Sequence, residues 1–282
     1  MTKQLDVLHP SVLTAHNNFG IDVGFLLKPK QSVFPFDIQL PEFDCRQVEH
    51  GASYKPHLKA GRQRKGTGSS NYGRKVERTM ECLSCLERHY LLAFEHNNFI
   101  IDIREQYAMA DDAVIRRLVE ANRSIRRTDV KSIDFVLTLK LPWYPELIYI
   151  GVSVKEFREL CEPKIITRHN WEKQACASLG WGWLTATERD LDAVSARSRS
   201  FLREFTRRTP VTGFVHLLPH FAKLIRSTRR SSTLSQRIAN ASKALGIDMD
   251  DGFRAFAFSV QYGYLAVDLS QEMGERRLVS IA

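Results

Sequence analysis

Asp134 stands near the start of one short apolar run, and Lys155 closes the next. The runs are Ser132-Ile-Asp-Phe-Val-Leu-Thr-Leu139 and Leu147-Ile-Tyr-Ile-Gly-Val-Ser-Val-Lys155. Between them lies Lys140-Leu-Pro-Trp-Tyr-Pro-Glu146, whose prolines break regular pairing and mark a turn. Paired as an antiparallel hairpin centred on that turn, the runs set Asp134 roughly opposite Lys155. Ser153 shares the Lys155 face, because strand side chains repeat every second residue. Upstream, Leu83, Leu86, Tyr90, Leu91 and Phe94 recur at helical spacing, and Glu87 falls within that stripe. A carboxylate on an apolar face is costly unless a cation or a hydrogen-bond network satisfies it. Glu87 and Asp134 together supply the oxygen ligands that Mg²⁺ requires. Lys155 beside them can orient a water or neutralise charge on a phosphate. The chemistry these residue types support is metal-dependent phosphodiester hydrolysis.

Alternating helices and strands position these groups. A helix is expected over 76–96, a strand over 98–107, a charged helix near 111–124 and then the hairpin. A further helix starts near Thr167, with Trp171, Ala175 and Leu179 on one stripe; Gly180 ends it, and Trp181–Ala186 reads as a strand. This order predicts a mixed α/β sheet flanked by helices. From about 188 the character changes. An Arg-rich helix runs to Thr209, Pro210 intervenes, and helices follow over 211–228, 232–245 and from Asp248 to about Tyr262. Gly246 ends the helix over 232–245 and Asp248 caps the last. Two short apolar runs, 264–269 and 277–281, then suggest a hairpin, which makes the C-terminal plan that of a winged helix. Residues 1–75 read as a basic arm with little core, 76–187 as the catalytic core, and 188–282 as a partner-binding unit. Phe253, Phe256 and Phe258 exceed one narrow stripe, so part of that unit is expected to await a partner.

The chain has 282 residues, 43% of them hydrophobic, and a net charge of +9, which favours a polyanionic partner. Lys59, Arg62, Arg64, Lys65, Arg74 and Lys75 crowd one Gly/Ser-rich stretch; Arg197, Arg199, Arg203, Arg207 and Arg208 crowd another. Both are expected to meet phosphates, the first as the DNA-binding arm. The opening residues, Met1-Thr-Lys-Gln-Leu-Asp6, lack the apolar core of an export signal, and no apolar run is long enough to span a bilayer. The five cysteines are irregularly spaced, which predicts a reducing, cytoplasmic setting without a disulfide framework. Cys82 and Cys85 form a lone C-x-x-C, read as ordinary packing on the helix of Glu87. No phosphate loop, dinucleotide fingerprint or histidine metal pair competes with the Glu87, Asp134 and Lys155 set.

The acid, spacer and Ser-x-Lys arrangement is a variant of the PD-(D/E)xK nuclease signature. Ser84-Cys-Leu-Glu87, then Asp102-Ile-Arg-Glu-Gln106, Ser132-Ile-Asp-Phe135 and Val152-Ser-Val-Lys155 closely resemble TnsA, the endonuclease subunit of heteromeric cut-and-paste transposases. The resemblance covers about 76–190. It implies a restriction-endonuclease-like fold, with Glu87 and Asp134 as metal-binding carboxylates of a site for Mg²⁺, as two ions, and with Lys155 as the catalytic lysine. Family members place Gln, Glu or Asp where this chain has Ser153, so its hydroxyl, a bridging water or the Val154 carbonyl takes that ligand place. Glu172 matches a family glutamate that orients Lys155 or the site. The resemblance further implies cleavage at the 5′ ends of transposon-end DNA, a TnsB-like transposase acting at the 3′ ends, and a TnsC-like AAA+ regulator held by the C-terminal unit. The alternative is a catalytically impaired, DNA-binding adaptor on the same fold.

Overall fold

The computed structural model describes residues 19–27, 32–62, 67–110, 112–124, 126, 130–229 and 231–281. Its centre is a four-stranded sheet of β3 (Ile100–Ala110), β4 (Val130–Lys140), β5 (Leu147–Val154) and β6 (Gly182–Ala186), in that spatial order. The first three strands are antiparallel and β6 joins β5 in parallel. A parallel pair needs a crossover, supplied by the helix Pro163–Ser178. A hairpin of β1 (Ser69–Gly73) and β2 (Arg78–Cys82) precedes the sheet. In chain order the helices are α1 (Val23–Leu27), α2 (Cys85–Glu95), α3 (Asp112–Glu120), α4 (Pro163–Ser178), α5 (Ala193–Phe205), α6 (Leu218–Ser227), α7 (Leu234–Leu245) and α8 (Met249–Gln261).

The strand alternation of β4 builds two cores. Phe135 and Leu137 join Phe94 of α2 in one, while Val136 joins Cys176 and Trp183 on the α4 side. Trp183 and Phe94 are fully buried, and burial of so large an apolar side chain stabilises by roughly 2–3 kcal/mol. Gly151 lets α4 lie against the sheet, since a Cβ there would meet Cys176 Sγ at 2.8 Å.

The helix expected over 76–96 divides. Arg78, Met80 and Cys82 point inward and alternate with Thr79 and Glu81, so this stretch is a strand. The helix begins only after Ser84, whose hydroxyl accepts the Glu87 backbone N–H as an N-cap. Cys82 therefore ends a strand, buried, and Cys85 opens α2, exposed; the expected shared helix is corrected.

Residues before 76 are more than an arm. Ile21, Leu26 and Leu27 enter the main core. Tyr54 donates to the Glu105 carbonyl at 2.9 Å, and Asp44 accepts from the Tyr107 hydroxyl at 2.6 Å and pairs with Arg104 at 2.5 Å. Asp44 and Tyr54 thus give partners to the Tyr107 hydroxyl, the Arg104 guanidinium and the Glu105 carbonyl of β3, which lie buried.

The C-terminal helices end where their capping residues predict. Thr233 and Gln236 form a capping box on α7, Gly246 takes the left-handed conformation at its end with φ 68°, and Asp248 caps α8. Among the described residues the expected wing is reduced to one bridge, Val267 with Ile281. Phe253, Phe256 and Phe258 are buried within the helical cores, not held open for a partner. The boundary at 188 is crossed by buried charge: Glu95 of α2 pairs with Arg74 at 3.0 Å and with Arg203 of α5 at 3.3 Å. Cutting there would remove Arg203 from Glu95 and leave Arg74 as its ion-pair partner.

Candidate active site

Glu87, Asp134 and Lys155 come together at the end of the sheet where β4 begins and β5 finishes. The ladder pairs Lys140 with Leu147 and Phe135 with Val152, so Lys140 belongs to the strand and not to the turn. Continued one step, that register sets Asp134 beside Ser153 and not Lys155, which corrects the expected pairing. Lys155 reaches back across the strand end instead. Its ammonium donates to Asp134 Oδ2 at 2.8 Å and to the Val154 carbonyl at 2.7 Å. The Val154 N–H donates to the same Oδ2 at 2.7 Å.

Glu87 sits in the first turn of α2, where a carboxylate complements the helix dipole. Its Oε1 accepts from the Ser84 hydroxyl at 3.1 Å; its Oε2 accepts from the Leu83 N–H at 2.8 Å and from Gln106 Nε2 at 3.1 Å. Both carboxylates are 6% exposed. Burial, and next the charge of Asp134, push the pKa of Glu87 up to about 7. Burial also raises Asp134, but Lys155 outweighs it and holds the carboxyl below its ordinary value. Burial lowers Lys155 and the Asp134 charge more than restores it, so the ammonium titrates above its ordinary value.

A positive charge thus already rests on Asp134 Oδ2 and the Val154 carbonyl, and these oxygens, with Glu87, are of the kind that hold a hard cation. Among the described residues no three His, Cys, Asp or Glu side chains gather as a metal cluster. A cation here would draw on two carboxylates, a main-chain carbonyl and water. The donor set fits Mg²⁺.

Ser153 is fully buried, with Oγ 3.2 Å from His169 Nε2. Burial and then Lys155 push His169 down to about 4, so the ring is neutral near pH 7. We expect Ser153→Ala to cost about 1 kcal/mol of stability, the worth of one neutral hydrogen bond; a thermal melt against wild type checks this. Glu172, fully buried, accepts from Arg168 Nε at 2.7 Å and from Trp183 Nε1 at 3.3 Å. It holds Arg168 rather than bonding Lys155, and Arg168 in turn donates to the Ser132 carbonyl.

The basic residues divide. Arg74 and Lys75, expected on DNA, face inward. Arg74 pairs with Glu95, and Lys75 donates to the carbonyls of Phe94, Asn97 and Ile100 around the end of α2. Burial takes Lys75 down to about 7. Helix-end carbonyls attract a cation, which is why a basic sequence cluster is partly structural. Arg199 and Arg203 of α5 are likewise buried, whereas Arg197, Arg207 and Arg208 are exposed. Lys59 is exposed; the side chain of Arg62, and Arg64 and Lys65 entirely, lie outside the described residues. The flanks of that stretch are held by β2 on one side and by the start of Glu87's helix on the other. Ala60 N–H donates to Glu81 Oε2 at 3.0 Å, and Thr67 Oγ1 is 3.0 Å from Cys85 Sγ.

Gln106, Arg168 and His169 carried no role in the sequence reading. Only Gln106 had a signal there, as the last residue of the Asp102–Gln106 run. No helix among the described residues is long and apolar enough to cross a membrane. No protein-family model matches the chain, and no curated protein matches it either.

Proposed function

We propose that this chain is a Mg²⁺-dependent DNA endonuclease that works as a subunit of a cut-and-paste transposase. It would cut the 5′ strands at transposon ends beside a TnsB-like transposase, under a TnsC-like AAA+ regulator. The observation that carries the reading is that buried Glu87 and Asp134 feel each other's charge beside Lys155, whose ammonium bonds Asp134 and the Val154 carbonyl. Glu87, Asp134 and that carbonyl would hold the metal, which supplies Lewis-acid activation of water and charge stabilisation at the phosphate. Lys155 supplies a fixed ammonium against the developing phosphate charge. The low exposure of the two carboxylates keeps bulk water from weakening these interactions. Exposed Lys59, with Arg62, Arg64 and Lys65 by their charge, would track the DNA backbone.

The decisive experiment incubates labelled transposon-end DNA with this chain and its partner transposase, with and without Mg²⁺. The nuclease reading expects 5′-strand cuts leaving 3′-hydroxyl and 5′-phosphate ends. Binding without Mg²⁺-dependent cuts in the assembled complex would favour the adaptor.

The raised pKa of Glu87 makes metal uptake pH-dependent. A carboxyl held up from 4.5 to about 7 keeps its proton in the fold where the unfolded chain has lost it. Between those values the metal-free fold therefore loses stability as pH rises. A cation must displace that proton, so its stabilising effect should be small at pH 5.5 and grow as pH passes 7. Thermal melts with and without Mg²⁺ at each pH check this. Glu87→Gln should melt no lower than wild type at pH 8 without metal, and should lose the metal-induced rise.

A further inference from the structure

We propose that Gln106 is a positioning residue, which holds the Glu87 carboxylate in place against Asp134; the inference rests on the nuclease reading above. The β3–β4 ladder pairs Glu105 with Phe135 and Tyr107 with Ile133 but skips Gln106, the residue that would face Asp134. Gln106 has a left-handed backbone, φ 48°, a conformation a residue with a Cβ adopts only when its surroundings enforce it. They do so from both sides. Its carbonyl accepts from the His57 N–H at 3.1 Å, outside the ladder. Its side chain, on a residue 1% exposed, donates from Nε2 to Glu87 Oε2 at 3.1 Å and accepts from the Ser132 hydroxyl on Oε1 at 3.1 Å.

An amide presents a donor at one end and an acceptor at the other. With the Ser132 O–H on its oxygen, the N–H end must face Glu87. That donor favours the ionised carboxylate at the point where burial and Asp134 oppose it. Ser132 lies on the strand of Asp134, two positions earlier, and its carbonyl is held by Arg168, itself paired with Glu172 at 2.7 Å. The amide therefore ties α2 to β4 and sets the spacing of the two carboxylates.

The test uses the full chain and two variants. Gln106→Met keeps the length and removes donor and acceptor; Ser132→Ala leaves the amide but frees its orientation. Mn²⁺ affinity is read by calorimetry below the melting temperature, and the Mg²⁺ concentration for half-maximal cleavage is read in the assembled complex. Loss of a group that orients a metal ligand costs about 10–100-fold in affinity, so Gln106→Met should raise the Mn²⁺ Kd by that much, with a smaller rise in Ser132→Ala. A Gln106→Met protein that melts lower yet binds Mn²⁺ as wild type does would overturn the inference and leave the nuclease reading standing. If that variant does not fold, Ser132→Ala decides, and an unchanged Kd overturns the proposal. Equal Mn²⁺ binding by wild type and Glu87→Gln would remove the metal site itself, and the inference with it.

Discussion

Asp134→Ala is expected to abolish 5′-strand cleavage in the assembled complex. The carboxylate is a metal ligand in the proposed site, and its loss also releases Lys155, whose ammonium it holds at 2.8 Å. The change carries a stability cost that a rim position would not. Asp134 and Lys155 have side chains only 8% and 18% exposed, and removing one member of a buried pair costs about 3–5 kcal/mol because the other charge is left alone. The Val154 N–H loses its acceptor as well. Asp134→Asn separates the two effects. It keeps an oxygen for the Val154 N–H and the ammonium, so it should melt closer to wild type while cleavage stays lost. Cleavage assays and thermal melts on both variants, at matched concentration, make the measurement. Undiminished cleavage by either purified complex would exclude Asp134 from the chemistry.

Lys155→Ala should also lose cleavage, by about 10²–10³-fold if the ammonium acts as one preorganised electrostatic group in the transition state. It should nevertheless bind metal at least as well as wild type. The reason lies in what the ammonium occupies. Asp134 Oδ2 and the Val154 carbonyl each accept from it, and these are the oxygens a cation would take. Removing Lys155 frees both and leaves Asp134 an uncompensated buried carboxylate, which a divalent ion would satisfy. Calorimetric titration with Mn²⁺ therefore reads opposite signs for the two variants: weaker in Asp134→Ala, equal or tighter in Lys155→Ala. Parallel losses would mean that the division into ligand and cation is wrong.

These contrasts set the site apart from the other buried charges. The Arg74, Glu95 and Arg203 cluster and the Arg78–Glu105 pair at 2.7 Å are close, paired ions far from open water, and they hold β1, β2, α2, β3 and α5 together. Glu87 differs because no cation lies in ion-pair distance of it among the described residues, and its pKa is displaced to about 7. Lys75 is displaced to about 7 as well, but three carbonyls satisfy its ammonium; what sets Glu87 apart is a buried carboxylate that faces another carboxylate without an ion-pair partner.

The sequence alone determined what repeats over short range. Short apolar runs marked β4 and β5, helical spacing put Glu87 on the inner face of α2 though not where that helix begins, and Gly246 and Asp248 marked the end of α7 and the start of α8. It also named Glu87, Asp134 and Lys155, because acids and a lysine interrupting apolar runs are visible without a partner. What long-range closure decides was out of reach. Side-chain alternation has period 2, so the same runs pair in several registers, and only the closed hairpin sets Asp134 beside Ser153. A basic cluster looks the same whether it faces phosphate or helix-end carbonyls, and folding sent Arg74 and Lys75 inward to Glu95 and the end of α2. Gln106 is the sharpest case: its left-handed backbone and its place between Glu87 and Ser132 arise only when α2, β3 and β4 meet.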